Sequence, residues 1–195
     1  IKHDALTATN KTTLMGYEGM ASNTYFEVLP VLILNQKSDF PFHGRNRRPP
    51  KDAVNAMLSF VYTLIANDVS AALETVGLDP YVGFLHTLRP GRTSLALDMM
   101  EELRAYLGDR FVLSLINKRQ ITSKDFVFQG DKGVVMTEKG KKTFISAWQN
   151  RKRETIQHPY LNEKIEIGLL PYVQAMLLAR YIRQDIDDYP VFLIK

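Results

Sequence analysis

The sequence predicts a mainly α-helical protein, a helical bundle with one short β-hairpin inserted near residues 125–136. Three observations carry this. Residues 53–76, AVNAMLSFVYTLIANDVSAALETV, are apolar nearly all round, the pattern of a helix buried on every side. Helix-period stretches recur on both sides of it, and most of them run to a glycine or proline stop. Residues 125–136, DFVFQGDKGVVM, alternate with period two, around the turn sequence GDKG.

Length and composition set the outer bounds. The 195 residues suit one domain, or one and a small appendage, and an apolar share of 45% supports a sizeable core. A net charge of +4 admits a nucleic-acid partner without requiring one. There is no cysteine, which excludes disulfides and thiolate zinc sites and agrees with a cytoplasmic location. The longest apolar runs are broken by Asn67, Asp68 or Gln174, so no membrane span and no membrane partner are expected. No secretory signal is present in these residues. Ile1 in place of methionine reads as the start of a fragment with an upstream region missing.

Residues 1–9 are polar and read as frayed. From Lys11 a helical pattern builds, with Glu18, Ala21 and Tyr25 on one face and Met15 and Met20 favouring another. Gly16 and Gly19 flank Glu18. Each glycine costs a helix interior about 1 kcal/mol against alanine, so the pair predicts either close helix packing or the near approach of a ligand. Pro30 breaks or kinks this helix. Residues 36–51, QKSDFPFHGRNRRPPK, form a loop in which Arg45, Arg47, Arg48 and Lys51 alternate with Phe40, Phe42 and His43. Cations interleaved with aromatics suit a phosphate backbone with a few stacked bases; a merely solvated loop is the competing reading. Pro49 and Pro50 stop the loop, and Asp52 caps the apolar helix. Inside that helix Asn55, Asn67 and Asp68 need internal partners.

The densest chemistry lies in residues 77–104, GLDPYVGFLHTLRPGRTSLALDMMEELR. Gly77 ends the apolar helix in a left-handed C′ conformation. A basic loop carries His86, Arg89 and Arg92, and Thr93 or Ser94 caps the next helix. On that helix Asp98 and Glu101, at i and i+3, point from one face, while Leu95, Met99 and Leu103 form the buried one. One imidazole, two carboxylates and two arginines within twenty residues make a plausible metal-and-phosphate site. Further on, Gly108 is expected to end this helix and Asp109 to cap another. Thr137 caps a long amphipathic helix through residue 157, with core positions Phe144, Trp148 and Ile156. Its basic run, Lys139 to Arg153, reads as a solvated face rather than a DNA contact. His158 reads as structural. Pro171 starts the last helix, and YPVFLIK packs back as an apolar strap.

Taken together, these segments resemble one family, the CRISPR-associated integrase/endonuclease, the Cas-one protein of the spacer-acquisition complex. LMGYEGMASNTYF resembles its Gly-x-Glu-Gly-x-Ala helix. FHGRNRRPPKDAVNAMLSFVYTLIAND resembles its Arg-Pro-Pro loop and core helix. GLDPYVGFLHTLRPGRTSLALDMMEELR resembles its Gly-Phe-Leu-His and Leu-Asp segments, and HPYLNEKIEIGLLPYVQAMLLARYI with YPVFLIK its C-terminal end. The wording is closest to subtype I-C, and the likeness covers nearly the whole chain. It implies a single C-terminal helical catalytic domain over residues 1–195, without the family's N-terminal β-domain. It further implies that Glu18, His86 and Glu101 bind Mg²⁺ or Mn²⁺, with Asp98 as support. Arg104 matches a basic position facing the active site, and Arg45, Arg47, Arg48, Arg89 and Arg92 become candidates for phosphate.

The implied chemistry is metal-dependent DNA cleavage, of the phosphodiester hydrolase class, or transesterification by an incoming 3′-hydroxyl that inserts new spacers for antiviral defence. Implied partners are double-stranded DNA, both prespacer and CRISPR repeat, a second copy of the protein, the Cas-two subunit and, in some systems, a Cas-four protein. Two other classes compete: a non-catalytic DNA-binding helical module, and a metal-dependent hydrolase of a small phosphorylated molecule.

Overall fold

The computed structural model describes residues 5–194. Residues 1–4 and Lys195 lie outside the described residues, and so does part of the frayed start expected above. The fold is mainly helical, with two small antiparallel strand pairs. It divides into two compact units, one running up to Ser59 and taking in Val112–Thr143, the other Phe60–Phe111 with the residues from Phe144 onward.

In the first unit, helix α1 (Lys11–Val28) starts where the pattern places it, because the Asn10 side chain accepts from the Thr13 N–H at 2.9 Å. It gives way at Leu29–Leu32 to a 3₁₀ turn around Pro30. Only Phe26 of α1 is buried. Gly16 and Gly19 face open space, since nothing lies within 4 Å of a side chain added at either. The unit's core gathers Phe26, Leu29, Ile33, Phe40 and Phe42. Phe40 and Phe42 therefore correct the stacking reading of the loop: they are 1% and 5% exposed and hold it onto the core.

Helix α2 (Ala53–Thr75) begins where expected. Asp52 caps it by accepting the Asn55 N–H at 2.8 Å. Asn55, fully buried, is the junction of the loop: its carbonyl accepts from the Asn46 N–H and from Arg45, and its amide donates to Gly44 and Asp52. Asn67, by contrast, is exposed and needs no internal partner. By length and hydropathy α2 could cross a membrane, yet half of its apolar window is buried within the protein. Fully buried Met57, Leu58, Val61, Ile65 and Leu73 mark it as a packed core helix. Each such side chain contributes roughly 1.5–3 kcal/mol.

The hairpin falls as predicted: β1 (Phe126–Phe128) pairs with β2 (Val134–Met136), with Phe128 opposite Val134. Phe126 meets Phe40 edge-on at 5.9 Å between ring centroids.

In the second unit, helix α3 (Ser94–Leu103) does not stop at Gly108. It passes through a π-helical turn, Arg104–Asp109, into α4 (Arg110–Asn117). Gly108 serves contact rather than termination. A side chain there would meet the Tyr62 ring at 3.0 Å. The Tyr62 hydroxyl donates to buried Asp109, which is therefore not a helix cap.

Helix α5 (Glu138–Arg153) is capped by Thr137, whose Oγ1 accepts the Gly140 N–H at 3.1 Å. It is shorter than expected, because residues beyond it form β3 (Thr155–Gln157), paired with β4 (Lys164–Glu166). Phe111 packs on Phe144 and Trp148 at 5.1 and 5.2 Å, while Ile156 is only half-buried on the strand. Helix α6 (Leu170–Ile182) carries Pro171 in its first turn. Buried His158 is structural: its ring faces Gln174 at 3.1 Å and accepts the Leu161 N–H.

Candidate active site

The site begins where α2 ends. Gly77, at φ +81°, lets the Leu78 N–H reach Leu73 O at 2.9 Å and its own N–H reach Glu74 O at 3.1 Å, which turns the chain out of the helix. The loop then folds back on the start of α3. The Pro80 carbonyl accepts the Leu95 and Ala96 N–H groups, at 2.9 and 3.3 Å. Thr93 occupies the N-cap position without a side-chain bond, so a backbone carbonyl does the capping expected of Thr93 or Ser94.

Asp98 organises the turn. One carboxylate oxygen accepts the Phe84 and Leu85 N–H groups at 2.7 and 2.9 Å. The other accepts the His86 N–H at 2.8 Å and faces His86 Nδ1 at 2.7 Å. The Asp98 side chain is fully shielded and that of His86 is 22% exposed. A carboxylate facing Nδ1 fixes the neutral ring with its proton there, which leaves the Nε2 lone pair as the one the site can use. Asp98 itself is occupied by four contacts, a supporting place.

Glu101, one turn along, lines the same open cleft of about 590 Å³ as Asp98. Its carboxylate pairs with Arg104 at 2.8 Å, and the Arg104 guanidinium lies 5.4 Å from the centre of the Tyr62 ring. Arg104 thus acts on Glu101 in this structure. Arg89 is exposed and Arg92 half-buried. Asp68 pairs with Lys152 at 3.2 Å.

Glu18 lies on exposed α1, in the first unit. Among the described residues no three His, Asp or Glu side chains are grouped to hold one metal ion. The structure brings the loop residue His86 and Asp98 together and places Glu101 on the Asp98 helix. The basic loop also divides. The Arg45 guanidinium is turned inward, donating to Asn55 and Ser59 at 2.8 and 3.0 Å. Arg47 and Arg48 are exposed.

Two contributors escaped the sequence reading. Gly83 is required by close approach: a Cβ there would lie 2.7 Å from the Ser94 backbone carbon and 2.8 Å from Asp98 Oδ2. The motif Gly-Phe-Leu-His held that signal. Glu102 anchors the C-terminal strap, accepting from the Tyr189 hydroxyl, from the Phe192 N–H at 2.7 Å and from Gln174 at 3.1 Å. Burial raises its pKa above the ordinary carboxylate value, against the pull of those hydrogen bonds. Burial and the Glu102 charge likewise raise that of Tyr189. No local pattern pairs residue 102 with residue 189.

A family model described as "CRISPR associated protein Cas1" matches residues 1–150. The chain is 55% identical over 186 residues to "CRISPR-associated endonuclease Cas1 1" of Chlorobaculum tepidum, covering 95% of this chain and 54% of that protein. It thus spans about half the length of that relative. Among solved structures, a Cas1 protein from Thermotoga maritima matches with a TM-score of 0.83 and 31% identity, over 93% of this chain and 55% of that one. A chain of a Cas6-RT-Cas1–Cas2 complex matches with a TM-score of 0.83 and 26% identity, over 97% of this chain and 20% of that one.

Proposed function

The chain belongs to the CRISPR-associated Cas1 family, and we propose that it forms the C-terminal helical catalytic region of a subtype I-C member. Its activity is DNA cleavage and integration in the cytoplasm, inserting new spacers into a CRISPR array. The partners are double-stranded DNA of prespacer and repeat, a second copy, a Cas-two subunit and, where the system has one, a Cas-four protein.

The observation that supports this reading best is the imidazole of His86 held through Nδ1 by buried Asp98. That arrangement presents one nitrogen donor in a fixed tautomer, with Glu101 on the same helix. Imidazole nitrogen with carboxylate oxygen suits Mn²⁺ or Mg²⁺, so the donor chemistry of His86 and Glu101 fits such an ion. Glu18 is the third ligand of the proposal, and it rests on the motif match. When bound, the ion would polarise the scissile phosphate.

The residues of the chain do the rest. Asp98 holds the imidazole in place, and Arg89 and Arg92 offset charge on the phosphate. In strand transfer the 3′-hydroxyl oxygen forms a bond to phosphorus as the broken strand's 3′-oxygen leaves. The first loses a proton and the second gains one, so nothing is oxidised or reduced. Water in place of the hydroxyl gives cleavage.

The test is Mn²⁺-dependent nicking and strand joining on duplex DNA. His86→Ala abolishes both while retaining DNA binding; full activity in that variant removes His86 from the mechanism. A second reading, a DNA-binding module without catalysis, draws on the exposed Arg47 and Arg48 of the basic loop. Under it, Mn²⁺ gives no thermal stabilisation of the wild-type protein.

A further inference from the structure

The β-hairpin and the basic loop meet at Pro49 and Pro50. The Val134 N–H donates to Pro50 O at 2.9 Å. A Cβ at Gly133 would lie 2.2 Å from that oxygen and 2.9 Å from the Pro49 side chain. Gly133 also sits at φ +68°, so glycine alone lets the turn seat against the prolines. This contact builds one surface from two segments distant in sequence. Arg47 and Arg48 precede the prolines, Lys51 follows them and Lys132 lies in the turn. All four are exposed, and none makes an ion pair among the described residues. Asp131 is the acid of the same turn.

Phe128 stands at the end of β1, opposite Val134. Its neighbour on the same strand face, Phe126, is covered by Phe40. Phe128 is 71% exposed. An aromatic residue this exposed, on the hairpin that carries Lys132 and rests on the Arg47–Lys51 loop, gains little from packing within the unit. It matches what an unpaired nucleotide offers, a π face between phosphates. A base inside a duplex presents no such face.

We propose that the hairpin and loop bind single-stranded nucleic acid, with Phe128 stacking on a base and Arg47, Arg48, Lys51 and Lys132 contacting the flanking phosphates. The proposal rests on the reading of DNA as substrate and adds the strand state recognised. The experiment measures binding of the 195-residue chain to a labelled oligothymidylate and to a blunt duplex, by anisotropy over a range of salt. Phe128→Ala weakens single-strand binding roughly tenfold and leaves duplex binding unchanged. Phe128→Leu, which keeps apolar bulk without a π face, does the same. Lys132→Gln lowers the slope of log affinity against log salt on the single strand by about 0.7. Unchanged single-strand affinity in the Phe128 variants, or equal losses on both substrates, overturns the proposal. If His86-dependent nicking persists while the Phe128 variants bind normally, the patch falls and the enzymatic reading stands. If nicking is absent from wild type while Phe128→Ala still loses single-strand binding, the enzymatic reading falls and the patch stands.

Discussion

Asp98 holds His86 twice: one carboxylate oxygen accepts its backbone N–H at 2.8 Å and faces its ring Nδ1 at 2.7 Å. The backbone contact fixes where the residue sits, and the ring contact fixes which nitrogen it offers. Asp98→Asn keeps an acceptor oxygen but loses the charge and puts an amide where one oxygen received N–H groups. Activity under Mn²⁺ should fall about 10–100-fold, the usual cost of removing the partner of a ligating histidine. Nicking rates against Mn²⁺ concentration check this. Wild-type Mn²⁺ dependence in the variant would show that the pairing does not matter to metal binding.

Gly83→Ala tests the same turn from its other side. The added methyl group meets the Ser94 backbone at 2.7 Å, and a helix backbone does not give way cheaply. Overpacking of this kind costs about 1–3 kcal/mol. The variant should lose that much in urea unfolding and lose nicking with it, because the N–H groups of residues 84–86 shift from Asp98. Stability equal to wild type would mean that the loop relaxes freely.

What could be read from the sequence followed the range of the interaction. Caps at Asp52, Thr137 and Gly77 depend on residues within five positions, and the structure places them as predicted. The pairing of the hairpin was legible for the same reason. Gly108 misled because a glycine stop signal looks the same as a glycine making room for Tyr62, which lies 46 positions earlier. Phe40 and Phe42 misled because an aromatic in a loop shows no periodicity to separate a core anchor from a stacking surface. At the site, the motif placed His86 and Asp98 together, while the role of Gly83 needed three-dimensional distances.

Glu102 makes stability depend on pH in a defined direction. Its folded-state pKa is raised above the reference value of 4.5, chiefly by burial. The folded protein therefore binds the proton more tightly than the unfolded chain does. The contribution of this group is greatest below 4.5 and declines as pH rises through the folded-state value. Glu102→Gln removes the titration. The stability of wild type relative to the variant should therefore decrease as pH is raised across that window. Urea unfolding of both proteins over a pH series checks it, and a constant difference would refute it.

The arginines of the basic loop should separate into two kinds. Arg45 donates to Asn55 and Ser59 inside the first unit, so Arg45→Gln should destabilise the protein by about 1–3 kcal/mol by leaving buried acceptors unpaired. Arg47 and Arg48 are exposed, and replacing both by glutamine should change stability by less than about 0.5 kcal/mol. Their effect belongs to binding. Each arginine that no longer neutralises a phosphate lowers the slope of log affinity against log salt by about 0.9 on duplex DNA or about 0.7 on a single strand. Thermal melts and salt titrations of the single and double variants decide it. Loss of stability from Arg47 and Arg48, or an unchanged salt slope, would make the whole loop structural and take phosphate binding away from it.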